Sequence, residues 1–193
     1  MRDTIKPALE PHCKTGHGFY HDTTAQLICP VDYDWSNVQH RANICSFHPD
    51  YLVTADCWPY FLYKNKEYDP ENLVRGLFKN AMLIQAFKHI FTSPSSADSE
   101  TGLNNKHSQA HVAMLLGMKS ICPRAIAYTA VQLRFALSSC NSWCIVDEDF
   151  DYEKFYNNMI TFFKDVHTPQ EQVEISDLLL WWNWCESKCG KLV

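Results

Sequence analysis

Four polar side chains interrupt an otherwise apolar helical stretch near the middle of the chain. Arg124, Tyr128 and Gln132 follow one another at four-residue spacing, which places them on one helix face, whereas Arg134 falls on a different face. A buried guanidinium is costly unless it is paired, so both arginines require carboxylates, carbonyls or an anionic ligand. The pattern therefore allows a small polar pocket that binds a phosphate or a carboxylate.

Hydroxyl groups in segment 92–97 are the second part of this predicted pocket. The candidate ligand-binding residues are His89, Ser93, Ser95, Ser96, Arg124, Tyr128, Gln132 and Arg134. In the alternative interpretation the arginines bind helix-end carbonyls and the serines cap the next turn. Buried polar groups are more often satisfied within a protein than used for a ligand, so the sequence favours this structural role.

A second set of candidate residues lies near the N-terminus and suggests a metal. Cys13, His17, His21 and Cys29 have the spacing Cys-x3-His-x3-His-x7-Cys, which supplies the nitrogen and sulfur ligands that tetrahedral zinc prefers. The spacing matches no zinc signature. Exposed histidines and a packed Cys29 are the favoured alternative to a zinc site.

Two further cysteine pairs, Cys140/Cys144 and Cys185/Cys189, have one-turn helical spacing. Such a pair can oxidise, but it more often means two thiols on one helix face, and neither pair forms a Cys-x-x-Cys redox motif. The acidic segment 147–151 resembles the start of a calcium loop but lacks the required Gly and Glu downstream. We therefore expect a charge run at a helix N-terminus there.

Composition restricts the classes of function. The chain has 193 residues, 46% of them apolar, and no apolar run near the roughly 18 residues that cross a bilayer. The net charge of −5 and the 17 scattered Lys and Arg residues disfavour binding to nucleic acid or to membranes. Nine cysteines form no regular disulfide framework. We expect an intracellular protein, cytoplasmic or nuclear.

Periodicity and capping signals predict an all-α domain of about five helices. Residues 1–50 are expected to form an irregular arm packed on a helical body of residues 51–193. The helices are predicted to begin at Pro70, near Ser108, at Arg124, after Asp149 or Asp151, and at Pro169. Apolar groups on nearly all sides of segment 178–184 predict that the last helix is central, with an exposed patch for a partner as the alternative.

Several motifs, taken together and in order, resemble a family of uncharacterised proteins from mushroom-forming basidiomycete fungi. They occupy segments 18–22, 29–35, 58–63, 68–72, 76–78, 86–97, 124–128, 132–139 and 181–183. The resemblance covers about residues 16–184. It implies an expanded family linked to mobile elements, without an established activity. Cys13 lies outside these motifs, which reduces the candidate metal ligands to His17, His21 and Cys29.

These observations predict a binding or interaction module whose partner is a protein or a small anionic ligand. We predict binding and not catalysis because the sequence contains no complete set of catalytic residues. One alternative is a small enzyme, either metal-dependent, with zinc as its cofactor, or acid–base through His89 beside Arg124 and Tyr128. The second alternative is a nucleic-acid-associated protein, which rests on the resemblance alone.

Overall fold

The computed structural model describes residues 13–92 and 112–187. The helices in this part of the chain are α1 (Asp22–Ile28), α2 (Val38–Cys45), α3 (Ala81–Phe91), the short turn α4 (Val112–Leu115), α5 (Pro123–Leu137), α6 (Tyr152–Lys164) and α7 (Pro169–Ser187). Strands β1 (Val146–Asp147) and β2 (Phe150–Asp151) form an antiparallel pair. The fold is therefore mostly helical, as predicted, although all-α and five helices are both slightly wrong.

The small hairpin is the feature that the all-α prediction missed. It pairs Val146 with Asp151 and Asp147 with Phe150. Glu148 stands in the two-residue turn with a φ of 56°, the left-handed conformation that tight hairpin turns require. The acidic segment thus forms a turn first, and only its last residue caps the following helix.

The N-terminal arm is more regular than expected. Helices α1 and α2 lie within residues 1–50, and the side chain of Asn37 caps α2 by accepting hydrogen bonds from two backbone amides. Ala25, Leu27 and Ile28 of α1 are buried, so α1 belongs to the packed interior. These helices have only 7 and 8 residues, which is too short for the helical periodicity on which the sequence prediction depended. The division of the domain at residue 50 stays a prediction.

Helix α3 begins later than the predicted start at Pro70. Gly76 and Phe78 have φ values of 74° and 56°, and these left-handed residues interrupt any helix that starts upstream. Asn80 then caps α3 by accepting a hydrogen bond from the Met82 amide at 2.9 Å, while its amide group donates to the Tyr63 carbonyl at 2.8 Å. The predicted end of this helix is correct, since α3 ends at Phe91.

Helix α5 is the centre of the described fold. It packs against α1, α3 and α6. Its buried positions lie on most sides of the helix and include both small and large apolar residues: Ala125, Ile126, Ala127, Ala130, Val131, Leu133 and Leu137. The predicted helix at this place is confirmed. A helix enclosed in this way must also bury any polar group on its inner faces.

Helix α7 starts with the predicted capping box. The Glu171 amide donates to Thr168 Oγ1 at 3.2 Å, and the His167 and Thr168 amides donate to Glu171 Oε2 at 2.7 and 3.2 Å. These bonds satisfy amides that the first helical turn leaves without partners. They also fix where α7 begins.

The tryptophan-rich end of α7 does not make it a central helix. Trp182 is buried, with its ring centroid 5.4 Å from that of Phe87, but Leu180 and Trp184 are 66% and 53% exposed. Helix α7 therefore lies at the surface and buries one face. The sequence prediction was wrong because apolar residues on all sides do not require neighbours on all sides. No helix in the described part of the chain combines the length and apolar character that crossing a bilayer requires.

The cap of α6 yields a test of the hairpin-to-helix junction. Asp151 Oδ1 accepts a hydrogen bond from the Lys154 amide at 2.9 Å, so Asp151→Ala should lower the free energy of unfolding by about 1 kcal/mol. Urea denaturation measures the change. Asp149→Ala removes a neighbouring exposed carboxylate that does not cap α6, and it should leave the free energy nearly unchanged. Equal losses in the two variants would contradict the assignment of the cap.

Candidate functional site

A small cavity lies where the C-terminal end of α5 meets the β1–β2 hairpin and the N-terminal arm. Its volume is about 70 Å³. Side chains or backbone from Gly18, Phe47, Arg134, Ser139 and Glu148 are part of its lining. This is room for a few waters or for one small polar group of a larger ligand. The pocket therefore gathers residues that are more than a hundred positions apart in the sequence.

Arg134 is the distinctive residue of this pocket. It is only 4% exposed, and its guanidinium carbon lies 4.3 Å from the centroid of the Phe150 ring. Nε and Nη1 are buried without a hydrogen-bond partner among the described residues. No carboxylate in that part of the chain lies within 4.0 Å of its nitrogens. The stacked ring holds the guanidinium in place but accepts no conventional hydrogen bond from it.

The electrostatics of the pocket combine one buried cation with an acidic hairpin. Burial lowers the pKa of Arg134, while Tyr152, Asp147 and Glu148 oppose that shift. Burial also raises the pKa of Glu148, reinforced by Asp147, and Arg134 acts in the opposite direction. The carboxylates thus partly offset the charge of Arg134 at a distance, but no described residue accepts a hydrogen bond from its Nε or Nη1.

Left-handed backbone conformations occur at three places in the pocket lining. Gly18, Phe47 and Glu148 have φ values of 63°, 55° and 56°. A Cβ on Gly18 would come within 3.0 Å of the Ser139 amide nitrogen, so glycine permits the close approach of the arm to the end of α5. Phe47 and Glu148 each carry a Cβ, so their left-handed backbone conformation is strained. Strained residues of this kind cluster at functional sites more often than elsewhere.

The structure separates the two arginines that the sequence placed in one predicted pocket. Arg124 and Tyr128 are exposed, Gln132 is half-buried, and Arg134 alone is buried. Ten residues of helix separate Arg124 from Arg134, which is about 15 Å along the axis. The expectation that Arg124 needs a buried partner was wrong, because water solvates its guanidinium.

The other members of the predicted pocket lie near the opposite end of α5 or outside the described residues. His89 is exposed on α3. The ring of Tyr128 lies 6.2 Å from that of Phe91, the last residue of α3. Ser93, Ser95 and Ser96 lie outside the described residues, so their participation stays a prediction.

The three predicted metal ligands do not form a ligand set in the structure. Cys29 is fully buried, and its thiol donates to the carbonyls of Pro30 and Tyr33 at 3.5 and 3.7 Å. His17 Nδ1 lies 3.2 Å from the Ala136 carbonyl oxygen, on α5. Among residues 13–92 and 112–187, no group of ligand atoms close enough to share an ion includes His17, His21 or Cys29. The packed Cys29 agrees with the structural alternative.

A different group of ligand atoms comes together beside the Arg134 pocket. The nearest ligand atoms of Cys140, Cys144 and Asp147 all lie within 4.8 Å of one another. Sequence reasoning noticed the cysteine pair but not the carboxylate. The sequence pattern that could have indicated this group is Cys-x3-Cys-x2-Asp. Its three side chains come together because the chain reverses between α5 and β1, and not because they share a helix face.

Burial of Cys29 has a consequence for its reactivity. Burial first, and then Asp34 and Asp32, raise the pKa of Cys29 to about 12. A raised pKa means less thiolate at a given pH, so at about pH 9 native Cys29 should react with iodoacetamide far more slowly than exposed Cys122. Peptide mass spectrometry measures both rates, and denaturation in urea, as the control, should make them similar. Comparable rates in the native protein would contradict the buried thiol.

Comparison with known proteins assigns the chain to a family. A model of a family of unknown function, DUF6698, matches residues 1–185. No curated protein and no solved structure matches the chain. The expectation that the chain belongs to a family without an established activity is confirmed, while the basidiomycete origin of that family stays a prediction. Because the matched region is far more than half of the 193 residues, the chain belongs to the DUF6698 family of unknown function.

Proposed function

We propose that this protein is a binding module whose Arg134 pocket accepts a small carboxylate or phosphate group. The observation that carries the proposal is the pair of buried guanidinium nitrogens, Nε and Nη1, that have no partner among the described residues. Arg134 is one of the residues that line the pocket. An anionic group placed there would receive charge-assisted hydrogen bonds, which are about twice as strong as neutral ones.

Leaving the buried Arg134 guanidinium without a hydrogen-bond partner costs free energy. Removing a guanidinium from water costs several kcal/mol, and a desolvated contact with an aromatic ring offsets about 2 kcal/mol or somewhat more of this cost. Arg134 stacks on Phe150 and has acidic neighbours only at longer range. The free protein therefore retains a strong preference for an anion or ordered water at these donors.

The acidic rim of the pocket restricts what kind of anion would bind. Asp147, Glu148 and Asp149 belong to its lining, and the whole chain has a net charge of −5. A polyanion such as nucleic acid would be repelled by this rim. A ligand with one carboxylate or phosphate and a nearby amino group would satisfy both Arg134 and the rim. These charges therefore favour a small zwitterion or the terminus of a peptide, and disfavour nucleic acid, as the ligand of the pocket.

The acid–base alternative receives less support from the structure. It requires His89, Arg124 and Tyr128, and all three side chains are exposed. Exposed charges are screened by water, so they offer weak stabilisation to a developing charge. Arg134, in contrast, is buried beside a cavity. We therefore place the binding site at Arg134.

The matched arginines of α5 provide the test of binding. Titrations of the full chain with phosphate, acetate and glycine, at constant ionic strength and followed by NMR, should show saturable binding to the wild-type protein. Arg134→Met should weaken that binding at least about tenfold, because the charged hydrogen bonds are lost. Arg124→Met removes an exposed arginine from the same helix and should leave binding within about twofold. Equal effects of both substitutions, or no saturable binding by any probe, would sink the proposal.

The same substitution should have the opposite effect on stability. If Arg134 is kept for a ligand, Arg134→Met replaces a poorly satisfied buried charge by an apolar side chain of similar length, and the free energy of unfolding should stay equal or rise by about 1–4 kcal/mol. Chemical denaturation without added anion measures it. A loss of about 3 kcal/mol or more would instead show that Arg134 belongs to a structural network. Arg124→Met is again the control, with a change below about 0.5 kcal/mol.

A further inference from the structure

The chain reverses direction between the end of α5 and strand β1, and this reversal brings two thiols and a carboxylate together. The sulfur atoms of Cys140 and Cys144 are 3.5 Å apart, and an oxygen of Asp147 completes a group within 4.8 Å. All three residues are half-buried. This group lies outside the predicted His17, His21 and Cys29 set.

The sulfur–sulfur distance is that of two free thiols in hydrogen-bond contact, and it is compatible with a shared metal. Two thiolates at about 2.3 Å from a tetrahedral zinc ion stand about 3.8 Å apart, whereas a disulfide requires about 2.05 Å. The observed 3.5 Å is close to the metal-bound distance. Only a small outward movement of either sulfur would place both at bonding distance from one ion.

The surroundings are suited to a group that carries net negative charge. Two thiolates, one carboxylate and a divalent ion sum to one negative charge. Lys14 is close enough for its ammonium to interact with Cys140 and Asp147, and Arg134 lies on the pocket side of the same carboxylate. Lys14 is held in place, since its Nζ donates to the Phe135 carbonyl at 2.5 Å. These cations would compensate the charge of the filled site.

The carboxylate ligand also has a supporting contact. The Tyr152 hydroxyl donates a hydrogen bond to Asp147 Oδ2 at 3.4 Å. Partners of this kind orient metal ligands and are part of most metal sites in proteins. Tyr152 itself is buried at the start of α6, so it is a rigid support.

We propose that Cys140, Cys144 and Asp147 bind one zinc ion and leave its fourth position to water. Paired thiolates select zinc over magnesium or calcium, and three protein ligands are typical of zinc sites that keep one open position. The atoms that would bind zinc differ from the guanidinium nitrogens of the proposed anion pocket, and Asp147 and Arg134 lie beside both sites.

Metal binding requires a defined change at the two thiols. The Cys140 thiol donates a hydrogen bond to the Ser142 carbonyl at 2.9 Å. On binding, both S–H bonds break, and two Zn–S bonds and one Zn–O bond to Asp147 replace bonds from zinc to water. One water stays on the ion, the other waters are released, and about two protons pass to the buffer for each zinc ion. No electron is transferred. Affinity should consequently rise with pH in the range where the thiols ionise.

The test uses the full chain, purified without a histidine tag, reduced and treated with a chelator. Titration with Zn²⁺ against a chromophoric competitor should show one equivalent bound, and Co²⁺ should produce a thiolate-to-cobalt charge-transfer band. Cys144→Ser should lower zinc affinity at least about 100-fold and remove this band, because one of three protein ligands is lost. Cys122→Ser, a substitution at an exposed thiol, is the matched control and should change neither.

Three outcomes would overturn the inference. They are the absence of stoichiometric Zn²⁺ binding at micromolar protein, equal affinity in Cys144→Ser and wild type, and a cobalt spectrum without thiolate bands. The pair would instead be a redox couple if the protein, once reduced, binds no zinc and forms a Cys140–Cys144 disulfide after brief exposure to air. If Cys144→Ser fails to fold, the cobalt spectrum of the wild-type protein still decides. Phosphate binding by Cys144→Ser is measured separately, so failure here leaves the anion pocket untouched.

Discussion

Burial of helix α5 is the constraint from which the rest of the architecture follows. Helices α1, α3 and α6 pack around it, and this enclosure leaves Arg134 only 4% exposed. A guanidinium in that position cannot be solvated as it would be at the surface, and it has no carboxylate within salt-bridge distance in the described part of the chain. Phe150 stacks on it, and the small cavity lies beside it.

The β1–β2 hairpin connects this constraint to the neighbouring thiols. Asp147 belongs to the pocket lining and also lies beside Cys140 and Cys144, while Phe150 of the second strand supports Arg134. Asp151, which lies four residues after Asp147 in the same hairpin, caps α6. A two-residue turn therefore places a carboxylate, an aromatic ring and a helix start in fixed positions. The local strain at Glu148 is the cost of this tight arrangement.

Much of the helical framework could be predicted because its signals are local. The periodicity of α6, the capping box at Thr168 and Glu171, and the Ala- and Leu-rich run of α5 depend on residues within one or two turns. The start of α3 could not be predicted, since left-handed residues at Gly76 and Phe78 override the preceding Pro70 signal. The helical spacing of apolar residues indicates neither the surface position of α7 nor the presence of the hairpin.

The candidate site was predictable only in part, for a tertiary reason. Sequence reasoning identified Arg134 as a residue that needs a partner, but it treated exposed Arg124 as equivalent. Which arginine is buried depends on the helices that pack against α5, and spacing within α5 does not reveal them. The convergence of Cys140, Cys144 and Asp147 likewise depends on a chain reversal.

The Arg134 guanidinium is buried, and we propose that it is rigid and binds an anion. The Nε–H resonance of Arg134, assigned in a proton–nitrogen NMR spectrum by its loss in Arg134→Lys, reports on this directly. We expect a signal with slow solvent exchange that shifts progressively and saturates as acetate is added. A resonance that exchanges as fast as that of an exposed arginine, or that does not move with acetate, would contradict the account.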